Sequence, residues 1–106
     1  MDSLFVEYLG SIPTIKTLDF LMENKRTSWT LKEISDQASI AYPSLKLVMP
    51  RLLARKIVFV ERDLGKVKLY KLNEQNAVVK QLLALDKEIV RQETGVKRSI
   101  IAELPR

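Results

Sequence analysis

The sequence contains no cysteine and no histidine. Without cysteine there is no disulfide, no thiolate nucleophile and no Cys-rich zinc site. Without histidine the commonest metal ligand and the usual general base are missing. Only three glycines occur, and no Gly-rich phosphate loop can be drawn from them. No apolar run approaches the length of a membrane span. Met1-Asp2-Ser3-Leu4-Phe5 lacks the basic region and apolar core of a signal peptide, so the expectation is a cytoplasmic protein with no membrane partner. Most routes to an enzyme are closed. The carboxylates Asp86 and Glu93 fall on a charged helix face, where solvation explains them better than catalysis. No cofactor or metal is expected. A pocket between the last helix and the core would suit a small-molecule sensor, but no residue marks a ligand.

What remains is an ordinary soluble composition, 46% hydrophobic and 29% charged over 106 residues, enough for a single domain with a modest core. The net charge of +5 is unevenly spread. Residues 1–38 carry four basic and six acidic side chains, and residues 73–106 carry six and five. Residues 39–72 carry eight basic side chains, Lys46, Arg51, Arg55, Lys56, Arg62, Lys66, Lys68 and Lys71, against Glu61 and Asp63, an excess of six. The middle third therefore has the footprint of a polyanion-binding surface.

The pattern along the chain is mainly helical. A short amphipathic segment, Asp2 to Leu9, ends at Gly10. Ser11 is the expected cap of a second helix with Pro13 in its first turn and Ile12, Ile15, Leu18, Leu21 and Met22 on one face. Asn24 to Ser28 reads as a loop, and Trp29 as a core residue preceding the capping box Thr30-Leu31-Lys32-Glu33. A short helix follows, with Leu31, Ile34 and Ala38 on its buried side. After a break at Ser39–Ala41, a second helix runs from about Pro43 to Arg55. Two short helices joined by a tight turn, the second basic, form a helix-turn-helix, although the turn lacks the glycine often found there. The segments flanking Asp63-Leu64-Gly65-Lys66 are rich in β-branched and aromatic residues and predict a hairpin, with Gly65 supplying a positive φ. Its lysines would equally guard an ordinary exposed strand edge. Asn73 or Asn76 then caps a long helix to about Glu93, whose apolar residues are Ala77, Val78, Leu82, Leu85, Ile89 and Val90, widened by Val79 and Leu83. Gly95 is the expected stop. The apolar middle of the tail "VKRSIIAELPR" suggests docking.

Within 43–55 the helical period assigns Leu45, Val48, Met49 and Leu52 to the core and Pro43, Leu47, Pro50 and Ala54 to the opposite face. Both prolines then lie on the outer side, where a bend around the core is tolerated, and one kinked helix is expected. The outer strip is apolar, with Lys46 along one edge and Ser44, Arg51 and Arg55 along the other.

The order of helices, hairpin and helix, carried by "TLKEISDQASIAYPSLKLVMPRLLARKIV" and "VKLYKLNEQNAVVKQLLALD", resembles the winged helix-turn-helix DNA-binding domains of prokaryotic, particularly archaeal, transcription regulators, over roughly residues 10–93. The fold class implied is mainly α with a small β-hairpin wing and a C-terminal amphipathic helix. One domain would span 1–106, with helices, helix-turn-helix and wing in 10–72 and a possible dimerisation element in 73–106. The resemblance implies a transcription regulator whose helix at 43–55 enters the major groove of double-stranded DNA, with the hairpin 57–72 along the backbone and a homodimer formed through the C-terminal helix. By position, Tyr42, Ser44, Lys46 and Arg51 would lie on the groove helix and Arg62, Lys66 and Lys68 on the wing. Thr30 and Lys32 would begin the supporting helix, where free amides can meet a phosphate; Thr30 is equally a pure cap. Leu47 and Pro43 would touch thymine methyls while Lys46, Arg51 and Arg55 neutralise phosphates. The sequence departs from the pattern at the outer strip, since DNA readers normally show hydrogen-bonding side chains there. The alternative is a protein-interaction winged helix within a transcription or chromatin assembly.

Overall fold

The computed structural model describes the backbone of residues 2–103 and the side chains of residues 2–95. The elements follow as α1 (Leu4–Leu9), α2 (Pro13–Glu23), α3 (Leu31–Ala38), α4 (Tyr42–Ala54), β1 (Val58–Asp63), β2 (Lys68–Leu72) and α5 (Ala77–Glu103). This is a winged helix-turn-helix, mainly helical, with a two-stranded antiparallel wing. The core forms where the apolar faces of α2, α3 and α4 meet, at Leu21, Ile34, Leu45 and Met49, and is closed by Val58 and Leu72 of the hairpin and Val79 of α5.

Local chemistry sets most boundaries. The α1 helix starts at Leu4 rather than Asp2 because Ser3 is its cap, accepting from the Val6 amide while donating to Asp19 of α2 at 2.8 Å. The expected Ser11 cap on α2 is not formed. Ile12 holds that position without a side-chain hydrogen bond, and Pro13, at the first helical position, supplies a φ already suited to the helix. Being extended, Ile12 also leaves the apolar face assigned to it and is 58% exposed. At α3 the capping box is complete: the Thr30 hydroxyl accepts from the Glu33 amide, and the Glu33 carboxylate accepts from the Thr30 amide.

The turn between α3 and α4 has no glycine because Ser39 itself takes the left-handed conformation, at φ 55°. Its carbonyl accepts from the Lys16 ammonium, and the Ser35 hydroxyl donates to the carbonyl of Ile40. A similar device ends α4. Lys56 is left-handed at φ 59°, its amide donates to Leu53 and that of Ile57 to Leu52, the two bonds of a Schellman stop. Asn73 and Asn76 hold this end by donating side-chain amides to the Lys56 carbonyl at 2.9 and 3.1 Å.

The hairpin pairs Val58 with Leu72 and Asp63 with Lys68, and its register shifts between Val60 and Arg62. The Asp63 carboxylate accepts from the Gly65 amide, and Gly65 sits at φ 88°. Trp29 adds an unforeseen one-residue third strand. It exchanges both backbone hydrogen bonds with Tyr70 and packs edge-on against Phe20 at 5.2 Å. A single bridging residue carries no period to read.

In α5, Asn76 is the cap, accepting from the amides of Val78 and Val79. Gly95 does not stop the helix, which continues to Glu103. A helical glycine costs only about 1 kcal/mol relative to alanine, and a stop requires a left-handed residue. Val79 and Ile89 are buried and Leu82 and Leu83 partly so, but Val78, Leu85 and Val90, expected on the covered face, are exposed. The helix is about 40 Å long at 1.5 Å per residue; it joins the core through Val79 and Ile89 and packs along α1. The expected docking of the tail lies outside the described side chains.

Candidate nucleic-acid interface

The α4 helix presents its two faces as its period dictates. Leu45, Val48, Met49 and Leu52 are buried, whereas Pro43, Leu47, Pro50 and Ala54 are exposed. Leu47, at 70%, is the most exposed of the large apolar side chains among the described residues. Pro50 lies inside one continuous helix. It forgoes one backbone hydrogen bond on the solvent side, where water can serve the freed carbonyl.

Lys46 follows one border of this strip, its ammonium 5.7 Å from the Tyr42 ring. Arg51 lies on the other border and Arg55 just past the helix end, and both are exposed. Both also edge a cavity of about 360 Å³ between α2, α4 and the start of α5, whose wall includes Leu18, Val48 and Leu82. Ser44 is half-buried.

A second group converges where the starts of α3 and α4 meet the wing. Thr30, Lys32, Tyr42, Lys66 and Lys68 line one cleft of about 450 Å³, floored by Leu31, Val67 and Tyr70. The start of α3, the start of α4 and the wing thus meet around a basic rim, which joins residues far apart in sequence. Val67 is exposed and contributes to this cleft. Arg62 lies apart from it, exposed on β1 beside the register shift. At Thr30 the capping box already engages two of the amides at the start of α3.

The electrostatics separate the charged groups. Lys32 pairs with Asp36 at 3.8 Å and Lys71 with Glu61 at 3.3 Å. The Glu61 carboxyl is held below its ordinary range, first by the Ser28 side-chain hydrogen bond and then by Lys71. Lys46, Arg51, Arg55, Arg62, Lys66 and Lys68 have no acidic partner among the described residues. Their charge is not spent within the fold. Among the described residues no group of three or more acidic side chains could hold a metal, and no helix is long and apolar enough to cross a membrane.

No protein-family model and no curated protein matches the sequence. Solved structures do match. MepR, a transcription regulator of the Staphylococcus aureus multidrug efflux pump MepA, superposes with a TM-score of 0.60 at 16% identity, over 84% of this chain and 70% of that one. NadR, solved in complex with 4-hydroxyphenylacetate, gives 0.58 at 17% identity, over 95% and 83%. CouR, a transcriptional repressor bound to a 23-mer DNA duplex, gives 0.57 at 16% identity, over 97% and 84%. At such identities the likeness is one of fold.

Proposed function

We propose that this protein is a DNA-binding transcription regulator that inserts α4 into the major groove and lays the wing along the phosphate backbone. The observation that carries this reading is the concentration of seven exposed cations without acidic partners along α4, at its end and on the wing, Lys46, Arg51, Arg55, Lys56, Arg62, Lys66 and Lys68. The fold likeness to regulators, one of them bound to a DNA duplex, supports it. In this reading Tyr42, Ser44, Lys46, Leu47 and Arg51 face the groove, and Arg55 neutralises a phosphate at the end of α4. Arg62, Lys66 and Lys68 follow the backbone from the wing, while Thr30 and Lys32 meet a phosphate at the start of α3. Each phosphate neutralised releases counterions, so log affinity should fall with log salt by about 0.9 per contact. Anisotropy titrations of a labelled duplex from low to physiological salt test this. A slope steeper than about −3 is expected, and weak binding with a flat salt response would overturn the reading.

The dimer belongs to the same proposal. Tyr8 and Leu9 of α1 and Leu85 and Val90 of α5 are exposed apolar residues on two helices joined by the Tyr8–Glu93 hydrogen bond. A second copy would cover them. Sedimentation of the full chain against Leu85→Glu with Val90→Glu should show a dimer becoming a folded monomer; an unchanged sedimentation coefficient counts against this surface.

One observation favours a second reading, an adaptor that binds protein through α4, namely the exposure of Leu47 between Pro43 and Pro50. Leu47→Lys separates the two. Affinity for a random-sequence duplex should hold or rise if the strip faces DNA, because the added charge strengthens sequence-independent binding, whereas an apolar protein contact would be lost.

A further inference from the structure

The centre of α4 poses a problem for any reader of base edges. Its outward residues Pro43, Leu47, Pro50 and Ala54 hold no hydrogen-bonding side chain, and Ser44 beside them is half-buried. The exposed polar side chains lie on the borders of the strip: cations, and the Tyr42 phenol at its start, with the Lys46 ammonium 5.7 Å from its ring. Yet the borders are positive and unpaired on both sides, which makes the strip complementary to a polyanion rather than to an uncharged protein surface.

Dimensions allow the match, since a helix about 10–12 Å across with its side chains fits a major groove about 12 Å wide, and Pro43 to Pro50 spans about 10 Å of its length. Leu47 falls between them and projects furthest, at 70% exposure. Within the groove only one base-edge group is apolar, the C5-methyl of thymine; every other feature there is a donor or an acceptor and would be desolvated without a partner against this strip.

Resting on the DNA-binding reading above, we propose that Leu47, flanked by Pro43 and Pro50, reads thymine methyl groups, so that this protein selects sites by apolar contact rather than by hydrogen bonds to bases. Sites would carry thymines clustered in the few base pairs beneath the helix centre. Guanine there is disfavoured because its two acceptors would face leucine and proline.

The test uses the full chain and one duplex, recovered from a random-sequence pool, synthesised with thymine or with deoxyuridine throughout. Deoxyuridine keeps the base pairing and removes only the methyl. Binding should weaken about fourfold for each contacted methyl lost, the equivalent of one buried methylene. The difference should shrink in Leu47→Ala, which leaves the core untouched and whose fold is checked by circular dichroism. Equal binding of both duplexes by the native chain overturns the methyl inference while leaving the DNA-binding reading intact. A thymine preference retained in full by Leu47→Ala overturns the assignment to Leu47. No binding to any duplex overturns both.

Discussion

The α4 and α5 helices invite comparison because each exposes large apolar side chains as well as burying them, for opposite reasons. The α4 helix contains two prolines and should be the poorer helix, yet each residue faces the way its period predicts. The α5 helix has no proline in its 27 residues, yet Val78, Leu85 and Val90 are exposed where a single apolar face was expected. A short helix inside a helix-turn-helix has neighbours on one side for its whole length, so one stripe suffices and the rest is solvent or ligand. A helix longer than the body it packs on changes neighbours as it runs, and its stripe wanders. Outward apolar residues on α4 form a narrow strip between cations; those on α5 have no such border.

The comparison can be broken most forcefully at Leu45. Leu45→Ala removes a fully buried side chain and should cost about 2–5 kcal/mol, read by chemical denaturation, whereas Leu47→Ala, two residues on, should change stability by less than about 0.5 kcal/mol. Comparable losses at the two positions would mean that α4 does not present its strip to solvent.

Next in size is Asn76, where the two helices are joined. It caps α5 through the amides of Val78 and Val79 and donates to the last carbonyls of α4, those of Arg55 and Lys56. Asn76→Ala should lower stability by about 1–2 kcal/mol. Asn76→Asp, which keeps the acceptor and loses the donor, should recover part of that and so apportion the loss between the helices.

Lys56 gives a change of opposite sign. A left-handed lysine is strained by about 1 kcal/mol relative to glycine, so Lys56→Gly should raise the unfolding free energy by up to that amount, with the Asn73 and Asn76 hydrogen bonds to its carbonyl intact. A loss of stability instead would show that the lysine side chain contributes to holding α4.

The smallest effect concerns Asp19, on the side of α2 towards α1 and α5. Its carboxyl is held above the ordinary range, by burial first, opposed by the Ser3 hydroxyl and reinforced by Asp86 and Asp2. A raised carboxyl pKa means that folding disfavours the ionised form. The resulting destabilisation is present at neutral pH and disappears as pH falls below the ordinary aspartate value of about 3.9. Asp19→Asn, whose amide oxygen still accepts from Ser3, should therefore melt slightly higher than the native chain at neutral pH, with the difference vanishing in acid. A difference independent of pH would assign the effect to packing.

Much of this was legible from sequence because it depends on neighbours along the chain. The capping box at Thr30 and Glu33, the turn at Gly65, the two faces of α4 and the basic middle third each follow from residue type and spacing. The failures are equally specific. Ser11 has the chemistry of a cap, but the helix begins at Pro13 and leaves Ile12 in the cap position. Gly95 has the chemistry of a stop, but its backbone remained helical. The absent turn glycine predicted nothing about Ser39, whose left-handed conformation is held by tertiary hydrogen bonds around it.

The sequence alone determined a winged helix-turn-helix and where its charge lies, because periodicity, capping and turn chemistry act over a few residues. Only the tertiary structure decided that Thr30, Lys32, Tyr42, Lys66 and Lys68 share one cleft, that Trp29 extends the wing, and that the cations along α4, at its end and on the wing other than Lys71 lack acidic partners among the described residues. Those are relations between residues distant in the chain, fixed by how the core packs, and no local spacing encodes them.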